Sequence, residues 1–343
     1  MTKKIVTVLG SIDPEFIGTT LPHEHLLIDC RNWMVPPPND PLLQRIAKKP
    51  VDVINRGEII YNVCSIEDNL YQLDVKVAID EVKKFKIAGG NTIVDVTLET
   101  IGRDPNALIE ISKATGVNVI MGSGYYVESA WTQEDKRRSI KNLAKLIINE
   151  FQNGICETRI KPGIIGEIGI SDINNGIEIK GLKAAALAQK EINCALSIHM
   201  PNWKKEGHKI LDILQEEGVN LNKVVLSHCD FTLHDSDYND ALAKRGAYIE
   251  YDQFGVEHMT VENKFSPSDG EKIKAVYDQI IKGNIDKILI SHDIATKMEW
   301  TKWGGFGHSH ILKHIKPRML DMGITKEQID MIMIENPKRM LAF

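Results

Sequence analysis

The segment Leu21-Pro22-His23-Glu24-His25-Leu26-Leu27-Ile28-Asp29 places two imidazoles at a spacing that can do metal chemistry. In an extended strand successive side chains point to opposite faces, so His23 and His25 share one side and Glu24 takes the other. Their Cα atoms stand about 7 Å apart, close enough to converge on a single cation. A pair of packed core histidines is the plainer alternative, and four later residues argue against it. His199, His228 and Asp293 each fall at or near the end of an apolar run, and Glu167 lies in the last part of another.

Four imidazoles and two carboxylates suit two borderline divalent ions better than one. One ion takes His23, His25 and Asp293; the other takes His199 and His228, with Glu167 offering an oxygen to each. The expected cofactor is therefore a pair of divalent ions, Zn²⁺ first, with Mn²⁺ or Co²⁺ as alternatives. A hydroxide bridging them completes the set, because two cations depress the pKa of water to about 7 or lower. Asp293, hydrogen-bonded to that hydroxide, would orient it and carry its proton to the leaving group.

Such residues need a scaffold that brings strand ends together. Apolar runs at 92–96, 117–121, 163–169, 195–199, 224–228, 247–251 and 287–293 follow the His-x-His run. Helical spacing separates them at 74–88, 105–115, 134–151, 180–192, 206–217, 237–245 and 270–282. A final helical region, 307–340, breaks at Met322-Gly323. Pro105 opens its helix and Gly116 closes it. Eight strands buried on both faces, with helical crossovers, indicate a parallel sheet, and their number suits a closed (β/α)8 TIM barrel with its site at the C-terminal strand ends. No Gly-x-Gly-x-x-Gly follows a strand, so the dinucleotide-binding alternative lacks its fingerprint. Residues 1–20 read as a short hairpin, and the Pro-rich stretch 31–70 as a lid or binding wall. One domain, 1–343, is expected.

With 43% hydrophobic content over 343 residues the chain can bury a large core, and a net charge of −5 argues against a nucleic-acid surface. Cys30, Cys64, Cys156, Cys194 and Cys229 are scattered and form no Cys-x-x-Cys, as in a reduced intracellular protein. The basic start breaks at Gly10-Ser11, unlike a signal peptide, and no apolar run reaches about 18 residues. A soluble, cytoplasmic protein is the expectation, with a small-molecule substrate and neither nucleic acid nor membrane as partner; a homodimer is left open.

The chain resembles the phosphotriesterase-related proteins, a branch of the amidohydrolase superfamily. The matching pieces are Leu21-Pro22-His23-Glu24-His25, Gly163-Ile164-Ile165-Gly166-Glu167-Ile168-Gly169, Ser227-His228 and Tyr248-Ile249-Glu250-Tyr251-Asp252-Gln253-Phe254-Gly255. They continue with His292-Asp293-Ile294, Gly304-Gly305-Phe306-Gly307 and Ile334-Glu335-Asn336-Pro337, in order over nearly the whole chain. The resemblance implies a distorted (β/α)8 barrel, a binuclear and usually zinc centre, and hydrolase chemistry. Many superfamily members bridge the metals with a carboxylated lysine; here Glu167 stands at that place. Carbamate and glutamate each carry −1, so two M²⁺ against Glu167, Asp293 and hydroxide leave +1, which favours an anionic transition state. The shorter stem requires the strand to approach the metals more closely, and Gly166 and Gly169 suit that.

Substrate contacts are expected from the loops after the strands: Tyr126 beside Tyr125, Arg103, Trp203, the 252–257 segment and Lys297 at the start of 297–303. His292 should point away from Asp293's side of the strand, His310 and His314 should pair on a helix face, and His208, His234 and His258 show no partner in register. His23-Glu24 is not a zincin motif, since Leu27 occupies the place of its second histidine, and Cys229 reads as a small core residue. The reaction expected first is hydrolysis of a small ester or lactone. Cleavage of a small N-acyl amino compound comes next, then of a phosphotriester. The rival from another class, a barrel that binds without turnover, would have lost a ligand, and all six are present.

Overall fold

In the computed structural model, residues 3–156, 158–260 and 262–343 are described. The hairpin expected in the first twenty residues joins β1 (Ile5–Thr7) to β2 (Gly10–Ile12), Ile5 opposite Ile12; residues 1 and 2 lie outside the described residues. The His-x-His run forms β3 (Thr20–Glu24), with His25 just beyond its end. A two-residue strand, β4 (Ile28–Asp29), pairs antiparallel with β5 (Tyr71–Gln72) and ties off the base of the 31–70 excursion. Within that excursion Ile46, Val51, Ile59, Val63 and Ile66 bury a small core of their own against Met298. That core lets so irregular a segment hold one position.

The seven further strands are β6 (Thr92–Asp95), β7 (Asn118–Ser123), β8 (Ile164–Gly169), β9 (Ala195–His199), β10 (Val224–Ser227), β11 (Tyr248–Tyr251) and β12 (Ile288–Ile290). Rich in β-branched residues and buried on both faces, they pair in parallel in the order β12-β11-β10-β9-β8-β7-β6-β3, with helices around them. The two outer strands meet at a seam that nearly closes the sheet into a barrel. There the Asp293 N–H donates to the His23 carbonyl at 3.2 Å, and the His23 N–H donates to Ser291 Oγ at 3.2 Å. Glu24 reaches across the same seam, accepting from Ser291 Oγ at 2.8 Å and from the His292 N–H at 2.9 Å, with His292 Nδ1 at 2.7 Å. Burial alone would push its carboxyl up, but His292 and His308 hold it at about 2. Glu24 and His292 are thus the hydrogen-bonded pair that joins first strand to last, with His292 Nε2 accepting the Ile311 N–H at 3.1 Å.

Helix starts follow the capping residues: Asp74 caps Val75–Ile87, Asp104 with Pro105 caps Pro105–Thr115, and Ser268 with Glu271 forms a capping box on Asp269–Ile281. The helix expected over 134–151 is instead two, Gln133–Arg137 and Ile140–Asn153. Ser139 between them is extended and takes the Asn142 N–H as a new cap, which interrupts the helix. The last strand stops at Ile290, short of the expected 293, because the chain turns there to close the seam. The C-terminal helical region does break at Met322-Gly323, and each half widens into a π-turn just before a proline, Pro317 or Pro337, that cannot donate to the helix ladder. Among the described residues no helix is long and apolar enough to cross a membrane.

Candidate metal centre

All six expected side chains gather at the carboxyl ends of the strands. His23, His25 and Asp293 form one potential ion-holding group and Glu167, His199 and His228 a second, while a third combination, His23, His228 and Asp252, reuses two of these histidines. In the first, His25 Nε2 lies 3.1 Å and His23 Nε2 3.5 Å from Asp293 Oδ1. In the second, His199 Nδ1 lies 2.9 Å from Glu167 Oε2 and 2.7 Å from His228 Nε2. Glu167 faces both, with Oε1 at 3.3 Å from His25 Nε2 and Oε2 at 3.5 Å from His23 Nε2. His23 Nε2 is buried and has no hydrogen-bond partner among the described residues.

The far sides of three rings are occupied in a way that fixes their near sides. His25 Nδ1 meets Thr97 Oγ1 at 2.8 Å, and His228 Nδ1 meets Asp252 Oδ1 at 2.9 Å. His23 Nδ1 meets Ser227 Oγ at 3.1 Å and Glu250 Oε2 at 3.2 Å. A ring that donates its Nδ1–H outward presents the Nε2 lone pair inward, the tautomer a metal requires. The surroundings favour positive charge. Although burial opposes it, Asp293 and Glu167, with Glu250 and Asp252, hold His23 up at about 9; Asp293 and Glu167 hold His25 at about 10. Glu167, which burial would raise, is held well below the carboxylate range by the histidines around it. Donor types, an unpartnered inward nitrogen and outward-bonded rings together fit divalent cations.

Backbone conformation aims these groups. His228 (φ 64°) and Asp293 (φ 52°) both sit in the left-handed region, which few non-glycine residues adopt but which Asp and His tolerate better than most. Asp252 accepts the His228 N–H with both oxygens, at 3.1 and 3.0 Å, and the seam bond to His23 holds Asp293. Gly166 lies at φ 125°, and a Cβ there would come within 2.5 Å of the Ser197 carbonyl oxygen; one on Gly169 would meet Val127 N at 2.1 Å. These two glycines therefore let β8 lie against the Ser197 and Val127 backbones where any side chain would clash. Cys229 and His292 point away from the six, Cys229 into the core and His292 to Glu24.

His199, His228 and Asp293 open onto a cavity of ≈ 130 Å³ walled by Trp33, Tyr126, Asn202, Phe231, Gln253 and His258, among others. Tyr126 lies there as the sequence suggests, its hydroxyl 3.4 Å from His199 Nδ1. Burial, then the charge of Glu167, pushes that hydroxyl far above its usual range, so it stays a phenol. Gln253 and Val256 of the expected 252–257 segment line the cavity too, and the remaining expected contacts lie elsewhere. Arg103 turns its guanidinium onto Glu150 (3.0 and 2.9 Å) and the Gly122 carbonyl (3.0 Å). Lys297 is held by Asp68 at 2.5 Å, over the Tyr71 ring. Trp203 stands one layer back, 5.0 Å from Phe231. An Arg103→Gln variant should therefore keep kcat/KM within about threefold while losing on the order of 3 kcal/mol of stability, read by denaturant unfolding. A loss of activity without loss of stability would return Arg103 to the substrate.

Trp33 and His258 escape a sequence reading, whereas Gln253 lies in the expected 252–257 segment. Trp33 comes from the Pro-rich excursion and packs 6.1 Å from the His199 ring. Gln253 donates from Nε2 to Asp293 Oδ2 at 2.7 Å. His258, expected to lack a partner, has one: Glu299 at 2.9 Å, 41 residues later. His310 and His314 do stand together, rings 5.5 Å apart, with His310 on Asp269 at 2.7 Å.

An eight-stranded parallel barrel with imidazoles and carboxylates gathered at its carboxyl face defines a metal-dependent hydrolase of the TIM-barrel kind. The chain belongs to the phosphotriesterase family, whose model matches residues 3–341. That family depends on a binuclear metal centre, and the two side-chain groups here are of the kind that could hold one. The chain is 38% identical over 347 residues to the N-acetyltaurine hydrolase of Homo sapiens, covering 100% of this chain and 99% of the relative. A resiniferatoxin-binding protein from Rhodobacter sphaeroides superposes with a TM-score of 0.97 at 37% identity, over 98% of this chain and 94% of the other. A lactonase from Listeria monocytogenes superposes at 0.79 with 25% identity, over 99% of each.

Proposed function

We propose that this hydrolase cleaves a small N-acyl amine, releasing a carboxylate and a free amine. The observation that carries the reading is a small, largely apolar cavity set against six convergent metal-ligand side chains. End-to-end similarity to an N-acetyltaurine hydrolase supports the amide bond over the ester or lactone expected first. Lactone hydrolysis is kept as the second reading because the Listeria lactonase shares the architecture.

In this reading His23, His25 and Asp293 would hold one ion and His199 and His228 the other, with Glu167 shared between them. Zinc is the first choice because the donors are chiefly imidazole. Two such ions supply a water of lowered pKa and polarise the scissile carbonyl. Thr97, Glu250 and Asp252 keep the rings in the tautomer that presents Nε2. Asp293 keeps one oxygen toward His25 and the other on the Gln253 amide, so its carboxylate stays aimed at the cavity. It takes the proton of the attacking water and hands it to the departing nitrogen, which cannot leave as an amide anion. Tyr126, Trp33 and Phe231 screen the reacting carbon from bulk water and, with so small a cavity, limit the acyl group to a short one. The whole chain acts as one domain, and five free cysteines suit a reducing compartment such as the cytoplasm.

The test is kcat/KM across N-acetyl amino compounds, including N-acetyltaurine, against γ- and δ-lactones and a phosphotriester. An N-acetyl amine should lead the lactones by at least about tenfold; a lactone in the lead would overturn the amide reading.

A further inference from the structure

A cavity of ≈ 550 Å³ opens at the opposite end of the barrel from the candidate centre. Its wall is made where the strands begin. Asn222 and Lys223 precede β10, Tyr248 opens β11, Asp286 and Lys287 precede β12, and the helix Asn336–Leu341 lies across them. In barrels of this type chemistry is built at the other face.

The charge here is one-sided. Lys3, Lys223, Lys287, Lys338 and Arg339 line the cavity against Asp286 alone, in a protein whose net charge is −5. Lys338 is neutralised by Glu15 at 3.2 Å and Glu335 at 2.9 Å. The other four form no ion pair with any carboxylate among the described residues. Three of them, Lys223, Lys287 and Arg339, are satisfied by neutral oxygens instead. Lys223 Nζ donates to the carbonyls of Arg339, Met340 and Ala342, each at 2.8 Å. Lys287 Nζ donates to Asn222 Oδ1 at 3.0 Å and lies 5.0 Å from the Tyr248 ring centre. Arg339 donates to the Asp286 carbonyl at 3.2 Å and to Asn336 Oδ1. Dipoles of this kind orient the cations without cancelling their charge. The cost is visible: burial, with Lys3 adding to it, pushes Lys223 down to about 8, and burial lowers Lys287 as well. Like charges so gathered repel unless an anion sits among them.

We propose that this cavity binds a small phosphorylated molecule, with the phosphate among Lys287, Arg339 and Lys3 and the remainder against Tyr248 and Pro14. The forked guanidinium of Arg339 matches phosphate geometry, and the cavity is larger than a lone phosphate needs. Lys223 is the structural member: its three bonds hold the last turn of the chain as the floor.

The probe is 3-phosphoglycerate, titrated calorimetrically into the metal-loaded enzyme, with sulfate at equal ionic strength as the salt control. Wild type should bind it with a Kd in the millimolar range or tighter. A Lys287→Gln/Arg339→Gln double variant should bind at least about tenfold more weakly while keeping kcat/KM within about twofold. The charge-preserving pair Lys287→Arg/Arg339→Lys should retain binding, and Lys3→Gln, on an exposed side chain, should weaken it about threefold without touching the fold. An unchanged Kd in the folded double variant would place the anion at the metal centre and overturn the proposal. So would binding matched by sulfate, or none at millimolar concentration.

Discussion

Asp293→Asn is expected to abolish turnover while leaving much of the bound metal in place. The replacement amide keeps an oxygen where Asp293 Oδ1 now lies, 3.1 Å from His25 Nε2, so coordination can persist. It cannot accept a proton, and positioned acid–base catalysis contributes roughly 10²–10⁴-fold, so the loss should fall on kcat. The side chain should hold its place, because the Gln253 amide, which now donates to Oδ2 at 2.7 Å, can turn over and accept from the new amide nitrogen through its Oε1. Steady-state kinetics beside metal analysis reads both halves of the expectation. A variant within about threefold of wild type would make Asp293 a structural ligand only.

The second large effect concerns Glu167. Its oxygens already face opposite groups, Oε2 at 2.9 Å from His199 and Oε1 at 3.3 Å from His25, so a bridge needs no carboxylated lysine. Metal-free protein reconstituted in CO₂-depleted buffer should regain activity at the same rate and to the same level as with bicarbonate. Glu167→Gln preserves size but removes one negative charge from between two cations, and should weaken metal binding and activity together by about tenfold or more. Glu167→Lys should bind metal poorly even with bicarbonate, because the longer carbamate stem overshoots ions set for glutamate. Strong bicarbonate dependence in the wild type would mean a lysine does the bridging. Lys161, the other candidate in the same segment, is exposed near Val6 and Phe343 at the strand's starting end, far from the site.

The residues that were legible in the sequence are those whose neighbours are set by a local period. Alternation in β3 puts His23 and His25 on one face and Glu24 on the other, and an apolar strand buried on both faces needs a polar residue only at its end. The barrel follows from repeating that pattern eight times. Loop residues answer to partners far along the chain. Arg103 follows a strand end as a substrate contact might, but the Glu150 carboxylate on the helix Ile140–Asn153 takes it. Lys297 goes to Asp68, 229 residues earlier, and His258 gains Glu299 only after folding. Trp33 is hidden for the same reason, since nothing in a Pro-rich segment says which side chain turns inward. The division of 134–151 was visible in principle, because Ser139 is a good cap within an otherwise helical run.

Metal stoichiometry is the most direct test of two cations held by six side chains. Elemental analysis of the fully active protein should find two divalent ions per chain. His23→Ala should lose one preferentially and His199→Ala the other. One ion per chain at full activity, or activity that survives complete removal of metal, would contradict it.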